Sequence, residues 1–378
     1  MSFTLQEILD DGAIKPSVLI SDSSKVNRVG IVTTVYRAQD ALSYWSEYHL
    51  SLGISHIILI FDHLEDPYEL ATAQDLQSRF EPDVLTIWDG RELARTDWKT
   101  VANCPGYDQL LLAARSESSS FGVSARQSLN ASAALLAAQN GKPGLAPLDW
   151  LLHLDQDELF YLEGRYRGGE SLHEHFSTLK EHHFNCIRYT NHELLLPREP
   201  HMPLRFKCNP LVAANKLGKP GWTNLKKKIE KGSHGYFSGY TNGKSAVNVY
   251  SGSFAAGIHS WWLREESTGK AYTYVAGPSI LHYRFQSGQD LIKKYMRMAT
   301  SKGSENPMGS YQPLRAEREA LDLINRLQGI GTDIKTIEEK LYELWTELSL
   351  FTARQVMLLE EAGLLFSPNI DQKIKYFV

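Results

Sequence analysis

The opening of the chain constrains its fold most strongly, because two apolar runs flank one stretch with helical periodicity. Residues 29–36 (VGIVTTVY) and 56–61 (HIILIF) are rich in β-branched side chains and show no polar alternation. That pattern is typical of strands buried on both faces. Over residues 40–52 the apolar and aromatic side chains recur at helical spacing. A strand, a helix and a strand with short connections predict a parallel pair joined by a right-handed crossover.

Later segments extend this pattern. Residues 84–88 (VLTIW) and 148–154 (LDWLLHL) predict a third and a fourth buried strand, and the Ala-rich residues 124–139 predict a helix between them. Apolar periodicity over 333–364 predicts helices near the end of the chain. We therefore predict an α/β fold with a Rossmann-like, mostly parallel central sheet flanked by helices. The predicted units are an arm over 1–27, this core over 28–300, and a helical extension over 301–378.

The composition narrows the classes of function. The chain has 378 residues, of which 42% are hydrophobic and 22% charged, and its net charge is −4. These values are typical of a globular protein and argue against a nucleic-acid partner. Three scattered cysteines without a CxxC pair predict plain thiols. No apolar run reaches the roughly 20 residues that span a bilayer, so the sequence as it stands predicts a soluble, cytoplasmic protein. A Golgi lumen location stays open if a membrane anchor belongs to a longer chain.

An acidic cluster follows the fourth predicted strand, in HLDQDELFYL (153–162). Asp155 and Asp157 are two residues apart, so along an extended segment they point to the same side, about 7 Å apart. Two such carboxylates can share one hard cation, Mn²⁺ or Mg²⁺, whose open positions accept phosphate oxygens. The carboxyl edge of a parallel sheet is also where α/β folds bind ligands. A capped strand end with solvated acids is the structural alternative.

Several blocks of the chain resemble glycosyltransferase family 92 and its family-2-like relatives. In VTTVYRAQDALSYWSEYHLSLGISHIILIFDHLEDP (32–67) the shared pattern is a strand, a helix containing W-x-x-Y-H, and a second strand that ends in an acidic residue. The chain departs from that pattern at Asp62-His63, where the family usually has Asp-Asn. The sequence as it stands also leads us to expect no membrane anchor of the kind usual in that family. The other similar blocks are WLLHLDQDELFY (150–161), NGKSAVNV (242–249), GIHSWW (257–262) and ILHYRFQS (280–287).

The resemblance implies a GT-A fold and an inverting, metal-dependent transfer of a sugar from a nucleotide-diphosphate donor to a glycan hydroxyl. UDP-galactose is the first donor that it suggests. A cation suits this chemistry because it offsets the charge of the diphosphate leaving group. We expect Mn²⁺, or Mg²⁺, to be held by Asp155, Asp157 and His282, with His259 as the competing histidine. Imidazole suits Mn²⁺ better than Mg²⁺.

The predicted nucleotide-binding residues lie at strand ends and in basic segments. Thr33, Tyr36 and Arg37 end the first strand and Asp62 ends the second, where base and ribose are expected. The full set of candidates for the nucleotide and its diphosphate is Thr33, Tyr36, Arg37, Asp62, Asp155, Lys228, Lys244 and Arg284. Strand packing for Thr33, a turn for Asp62 and a solvated lysine run at 226–228 are the structural alternatives.

Transfer also requires a base for the acceptor hydroxyl. We expect Glu193 in this role, with Glu199 as the alternative, because both follow the acidic block. Two other functions stay open: a non-catalytic nucleotide-sugar or glycan-binding protein on the same fold, and a metal-dependent phosphohydrolase that uses Asp155 as nucleophile. A dehydrogenase is excluded because no G-x-G-x-x-G follows the first strand.

Overall fold

The computed structural model contains a mixed α/β architecture built on two sheets. It describes residues 27–36, 41–115, 120–142, 144–162, 171–195, 204–230, 235–237, 240–263, 270–274, 277–283, 292, 296, 315–349, 351–368 and 370.

The opening of the chain folds as the sequence predicts. Strand β1 (Val29–Val35), helix α1 (Leu42–Ser51) and strand β2 (His56–Phe61) form a parallel β–α–β unit in which every strand residue is buried. Helix α2 (Pro67–Arg79) then leads to β3 (Leu85–Asp89), which pairs parallel to β2. The apolar runs without alternation are therefore strands with both faces covered.

The next segments lead from the edge strand β3 back to the middle of the same sheet. They comprise α3 (Gly90–Thr96), a 3-10 turn (Trp98–Val101), α4 (Tyr107–Ala114), α5 (Ser120–Gln139) and β4 (Trp150–His153). Strand β4 pairs parallel to β1 on the side opposite β2. The fourth strand and the Ala-rich helix predicted from the sequence are both confirmed.

The remaining elements complete both sheets and the carboxyl-terminal region. In chain order they are β5 (Glu158–Tyr161), α6 (Leu172–Glu181), β6 (Phe184–Tyr189), β7 (Asn191–Leu195), β8 (Arg205–Lys207), α7 (Pro210–Ile229), β9 (Lys244–Asn248), a 3-10 turn (Val249–Ser251), β10 (Phe254–Ala255), β11 (Trp261–Trp262), β12 (Lys270–Tyr274), β13 (Ser279–His282), α8 (Arg315–Gly329), α9 (Ile334–Ser349), α10 (Ala353–Glu361) and β14 (Leu365–Phe366).

The larger sheet has seven strands in the order β12-β6-β9-β4-β1-β2-β3. Among these strands only β9 is antiparallel to its neighbours, β4 and β6. The carboxyl ends of β1, β2 and β4 therefore lie at one edge, where residues after Val35, Phe61 and His153 can meet. This parallel-rich sheet flanked by helices is compatible with a Rossmann-like glycosyltransferase fold.

The second sheet has five strands in the order β14-β8-β7-β13-β5. Its outer strand β5 receives its hydrogen bonds on the free side from α1. Trp45 Nε1 donates to the Glu158 carbonyl at 2.7 Å, and Tyr48 Oη donates to the Phe160 carbonyl at 2.9 Å. His49 Nε2 accepts from the Phe160 amide at 3.1 Å. The W-x-x-Y-H segment thus covers a strand edge that would otherwise be unpaired.

The carboxyl-terminal segments reach back onto this second sheet. Strand β14 pairs antiparallel to β8, and Leu359 and Leu364 pack with Ala213 and Ile229 of α7 in one apolar cluster. The helices predicted over 333–364 are present, but the chain beyond them also supplies a strand to the sheet. The predicted boundary at residue 300 stays a prediction.

Two further expectations concern the thiols and the membrane. Cys104, Cys186 and Cys208 are free and buried, so the prediction of plain thiols is confirmed. Within the described ranges, every helix is either too short or too polar to cross a bilayer.

Candidate functional site

Residues from both sheets and their connecting loops line a small pocket of about 80 Å³. The turn between β4 and β5 brings Asp155, Asp157 and Glu158 to it, and the end of β13 brings His282. The loop between β10 and β11 contributes Ile258 and His259. Asn191, Tyr240 and Gly243 complete the lining. The structure therefore brings together the acidic pair and both histidines that the sequence singled out.

Asp155 is held by two neighbouring side chains. Lys244 Nζ contacts its Oδ2 at 2.7 Å, and Gln127 Nε2 donates to its Oδ1 at 3.0 Å. Burial raises the pKa of Asp155, but the charge and hydrogen bond of the Lys244 ammonium, together with His153, outweigh burial, and the net direction is downward. Asp155 is therefore an ionised carboxylate whose two oxygens already have partners.

Lys244 is fully buried behind this carboxylate. Its ammonium also donates to the Ile258 carbonyl at 2.9 Å and lies 3.6 Å from Glu158 Oε2. Burial disfavours its charge, yet the two carboxylates compensate, and the pKa of Lys244 is raised. The predicted contact of Lys244 with a diphosphate stays a prediction, and the structure places the ammonium behind the acidic turn.

Glu158 begins β5 and shares the same lysine. Its Oε2 accepts from the Asp155 backbone amide at 2.9 Å, which fixes the turn that carries the acidic pair. Burial raises the pKa of Glu158 to about 8, against the opposing effect of Lys244. Glu158 therefore acts mainly by holding the backbone of the turn in place.

Asp157 and His282 face each other across the pocket. Asp157 Oδ2 and His282 Nε2 are 3.6 Å apart, which is longer than a good hydrogen bond. Among the described residues, the buried Nδ1 of His282 has no hydrogen-bond partner. Burial lowers the pKa of His282, but Asp157 and the neighbouring carboxylates outweigh it, so the net direction is upward. The imidazole is thus buried in a strongly acidic setting.

His259 is oriented by the backbone. Its Nδ1 lies 2.7 Å from the Gly243 carbonyl, which can only accept, so Nδ1 carries the proton and Nε2 has a lone pair. Burial, followed by the Lys244 charge, lowers the pKa of His259 to about 4. At neutral pH His259 is therefore an uncharged imidazole at the pocket wall.

These groups fit a divalent cation bound together with a phosphate-bearing ligand. Asp157 and His282, whose facing oxygen and nitrogen are 3.6 Å apart, are the side chains that would hold such a cation. Among the described residues, no group of three or more His, Cys, Asp or Glu side chains is arranged so that it could hold a metal ion.

The predicted base and ribose residues lie at the neighbouring strand ends. Asp62, after β2, is buried and pairs with Arg126 Nε at 2.6 Å. Tyr36, after β1, accepts from Gln156 Nε2 through its carbonyl at 3.2 Å. Thr33 is fully buried, and its hydroxyl donates to the Leu154 carbonyl at 3.0 Å. Asp62 and Tyr36 therefore border the edge that leads to Asp155, whereas Thr33 packs inside the strand layer.

The structure separates other predicted residues from this edge. Glu193 is 2% exposed and pairs with Lys207 at 2.7 Å; it does not line the pocket. Its assignment as the base stays a prediction. Lys228 is exposed near the end of α7 and does not line the pocket either. Arg37 and Arg284 lie outside the described residues.

Sequence reasoning missed two residues of α5 that connect these positions. Arg126 pairs with Asp62 and also donates to the Ala114 carbonyl at 3.1 Å, while the adjacent Gln127 binds Asp155. The signal was Arg126, the one charged residue in the Ala-rich segment 120–139, and the glutamine next to it. Such polar side chains facing a sheet need buried partners.

Comparison with known proteins gives independent evidence on the class of protein to which this chain is similar. Two Arabidopsis thaliana proteins, both named glycosyltransferase-like, are similar to this chain. One is 24% identical over 277 residues, which is 71% of this chain and 56% of the relative. The other is 27% identical over 174 residues, which is 45% of this chain and 31% of the relative. The chain thus spans about half the length of the first relative and a third of the second. A search against protein-family models found no match.

Proposed function

We propose that this chain is an inverting glycosyltransferase that uses a divalent cation, Mn²⁺ or Mg²⁺. Its donor would be a nucleotide-diphosphate sugar, with UDP-galactose as the first to test, and its acceptor a glycan hydroxyl. The glycosyltransferase-like relatives suggest the general class. The observation that carries the finer proposal is the meeting of Asp157, His259 and His282 in one pocket at the carboxyl edge of the parallel strands.

In this proposal the donor lies along the sheet edge. The Asp62–Arg126 pair and Tyr36 border the nucleoside end, and Asp157 with His282 hold the cation at the diphosphate end. A bound cation would offset the negative charge that grows on the leaving diphosphate. Lys244 keeps Asp155 and Glu158 in place, so the turn that presents Asp157 is fixed before any ligand binds. Such preorganisation lowers the cost of assembling the site.

His259 is the pocket group that we assign to accept the proton of the attacking hydroxyl. Its Nδ1–H is fixed on the Gly243 carbonyl, so Nε2 offers a lone pair. Its lowered pKa, about 4, keeps it unprotonated at neutral pH. A base must lie within hydrogen-bond reach of the acceptor, and His259 lines the pocket whereas Glu193 does not.

The phosphohydrolase alternative has less support from the geometry. Asp155 Oδ1 and Oδ2 accept from Gln127 and Lys244, and the contact with the buried ammonium lowers the nucleophilicity of the carboxylate. A non-catalytic sugar-nucleotide binder would use the same pocket, and turnover separates it from an enzyme.

The test is a screen of nucleotide sugars for Mn²⁺-dependent release of free nucleoside diphosphate, with and without glycan acceptors. We expect turnover that EDTA abolishes and Mn²⁺ restores. His259→Gln should lower turnover roughly 10²–10⁴-fold, the usual contribution of a general base, with donor affinity nearly unchanged. Donor binding without turnover across a broad acceptor panel would favour the non-catalytic alternative. Full activity after thorough chelation would contradict the metal proposal.

A further inference from the structure

The second half of α7 has a strongly basic surface that the proposed function does not use. Helix α7 is kinked at Gly218, whose φ is 69° and ψ 155°, and Pro220 lies in the first turn of the segment that follows. This segment, residues 219–229, contains four lysines and no acidic residue. We call Lys219, Lys226, Lys227 and Lys228 the basic face.

The apolar side of the segment packs on the protein, so the lysines point outward. Trp222, Leu225 and Ile229 recur at helical spacing and belong to the apolar cluster between α7 and α10. Ile229 is fully buried, and the Trp222 ring meets the Tyr236 ring edge-on, with 4.8 Å between the ring centres. All four lysines of the basic face are exposed. The packing of the opposite side therefore holds the basic face toward solvent.

Acidic side chains neutralise little of the basic face. Lys226 Nζ lies 3.7 Å from Glu230 in a partly exposed pair, of a kind that contributes little to stability. Among the residues that the structure describes, no carboxylate forms an ion pair with Lys219, Lys227 or Lys228. The basic face therefore presents most of its charge to solvent, although the chain as a whole has a net charge of −4.

The neighbouring helix α10 adds a further cation at one end of the basic face. Gln355 Nε2 donates to the Ile229 carbonyl at 2.7 Å, which places the first turn of α10 beside the last turn of α7. Arg354 precedes Gln355 and is exposed. The acids of α10, Glu360 and Glu361, lie in its last turn, away from this contact.

The electrostatics of the helix itself account for only part of this pattern. The helix dipole favours cations in the last turn, where Lys226, Lys227 and Lys228 lie. Lys219 lies at the opposite end of the segment, where the dipole disfavours a cation. Like charges gathered on one short segment also repel each other. An anionic partner would offset both costs.

We propose that the basic face binds the surface of a bilayer that contains anionic phospholipids. Such surfaces attract clusters of four to eight cations on a helix, and each cation strengthens binding roughly fivefold. The lysine composition favours lipid headgroups over a single fixed anion. Ammonium groups are point charges on flexible stems, whereas arginine matches one phosphate geometry with paired hydrogen bonds. The contact is peripheral, because the apolar side of α7 stays packed on the protein.

The first experiment measures co-sedimentation of the whole chain with vesicles. One set contains phosphatidylcholine alone, and the other contains phosphatidylserine as well. We expect binding to the anionic set only, and we expect it to weaken as salt is added, because salt screens exposed charges. Equal binding to both sets, or no binding to the anionic set at low salt, would overturn the proposal.

A triple variant locates the contact. Lys219→Gln/Lys227→Gln/Lys228→Gln should lower the affinity for phosphatidylserine vesicles roughly 10²-fold. Its unfolding midpoint in urea should stay near that of wild type, because all three side chains are exposed. Arginine at the same three positions keeps the charge and should keep most of the affinity.

A matched control separates the basic face from net charge. Lys99→Gln/Lys335→Gln/Lys340→Gln removes the same charge from exposed positions elsewhere and should lower the vesicle affinity much less. Equal losses in the two triple variants would show that the basic face is not the contact. Binding to heparin, a soluble polyanion, without binding to anionic vesicles would assign the basic face to an anionic glycan and overturn the membrane proposal.

Discussion

Gly243 occupies a backbone position beside the pocket that other residues do not tolerate. Its φ is 64°, and a Cβ built there would lie 1.8 Å from the Tyr189 carbonyl oxygen. Its own carbonyl fixes the tautomer of His259. The structure of the pocket wall therefore requires a glycine at position 243. This glycine also belongs to the NGKSAVNV block at residues 242–249.

Gly243→Ala should destabilise the protein and displace His259. Gly141→Ala is the control, because Gly141 has a φ of 62° with open space around it, so only the backbone penalty applies. That penalty is about 1–2 kcal/mol. We expect urea unfolding to show a larger loss for Gly243→Ala than for Gly141→Ala. Equal losses would mean that the contact with Tyr189 relaxes without cost.

Lys244 compensates the buried charge of Asp155 and also lies beside Glu158, so its removal should destabilise the protein. Lys244→Met leaves Asp155 and Glu158 without their cation, and breaking a buried pair in this way costs about 3–5 kcal/mol. The control is Lys142→Met, whose partner Asp97 lies at a half-exposed surface pair, for which about 0–1 kcal/mol is expected. Denaturant unfolding of both variants measures the difference. A loss below 1 kcal/mol for Lys244→Met would contradict the role given to this lysine.

At the scale of elements, α1 shows what the sequence could and could not predict. The helical periodicity of residues 42–51 predicts the helix itself, because the signal is local. Its hydrogen bonds to β5 join residues more than 100 positions apart, so no local sequence pattern predicts them. Arg126 and Asp62 are 64 positions apart and Lys207 and Glu193 are 14 positions apart, so these pairs also lie outside the reach of a helix or strand pattern. The acidic turn was predictable because strand and cluster are adjacent in sequence, whereas the second sheet was not.

Tyr48→Phe tests the covering of the β5 edge. The change removes the hydroxyl that donates to Phe160 and leaves a buried carbonyl without this partner. We expect a loss of about 1–3 kcal/mol in the free energy of unfolding. Tyr44→Phe, on the exposed side of the same helix, should change it by less than about 0.5 kcal/mol. Faster amide exchange of the β5 backbone in Tyr48→Phe alone would support the account, and equal behaviour of the two variants would contradict it.

At the scale of the whole molecule, buried neutral histidines set the response to acid. Burial lowers the pKa of His49 to about 3 and of His175 and His192 to about 4. An unfolded chain protonates these side chains near pH 6.5, so it binds more protons than the native state below that pH. The loss of stability that these three histidines cause is therefore absent above about pH 6.5 and grows as the pH drops toward 4.

His175→Gln should flatten this response. His175 Nε2 lies 2.9 Å from the Tyr189 hydroxyl, and glutamine retains a polar group without titrating. Between about pH 6 and 4.5, the slope of unfolding free energy against pH should decrease by about 1.4 kcal/mol per pH unit, equivalent to one proton. Urea unfolding at a series of pH values measures the slope independently of any constant loss. An unchanged slope would mean that His175 is protonated in the native state.

The most direct test of the central proposal is calorimetric titration of nucleotide sugars into wild type and Asp157→Asn, each with and without Mn²⁺. A neutral amide is a poor ligand for a hard cation. The account predicts that Mn²⁺ strengthens binding of at least one nucleotide sugar, UDP-galactose being the first candidate, to wild type and has little effect on Asp157→Asn. Wild type that binds no nucleotide sugar in the presence of Mn²⁺, or Asp157→Asn with an undiminished Mn²⁺ effect, would contradict it.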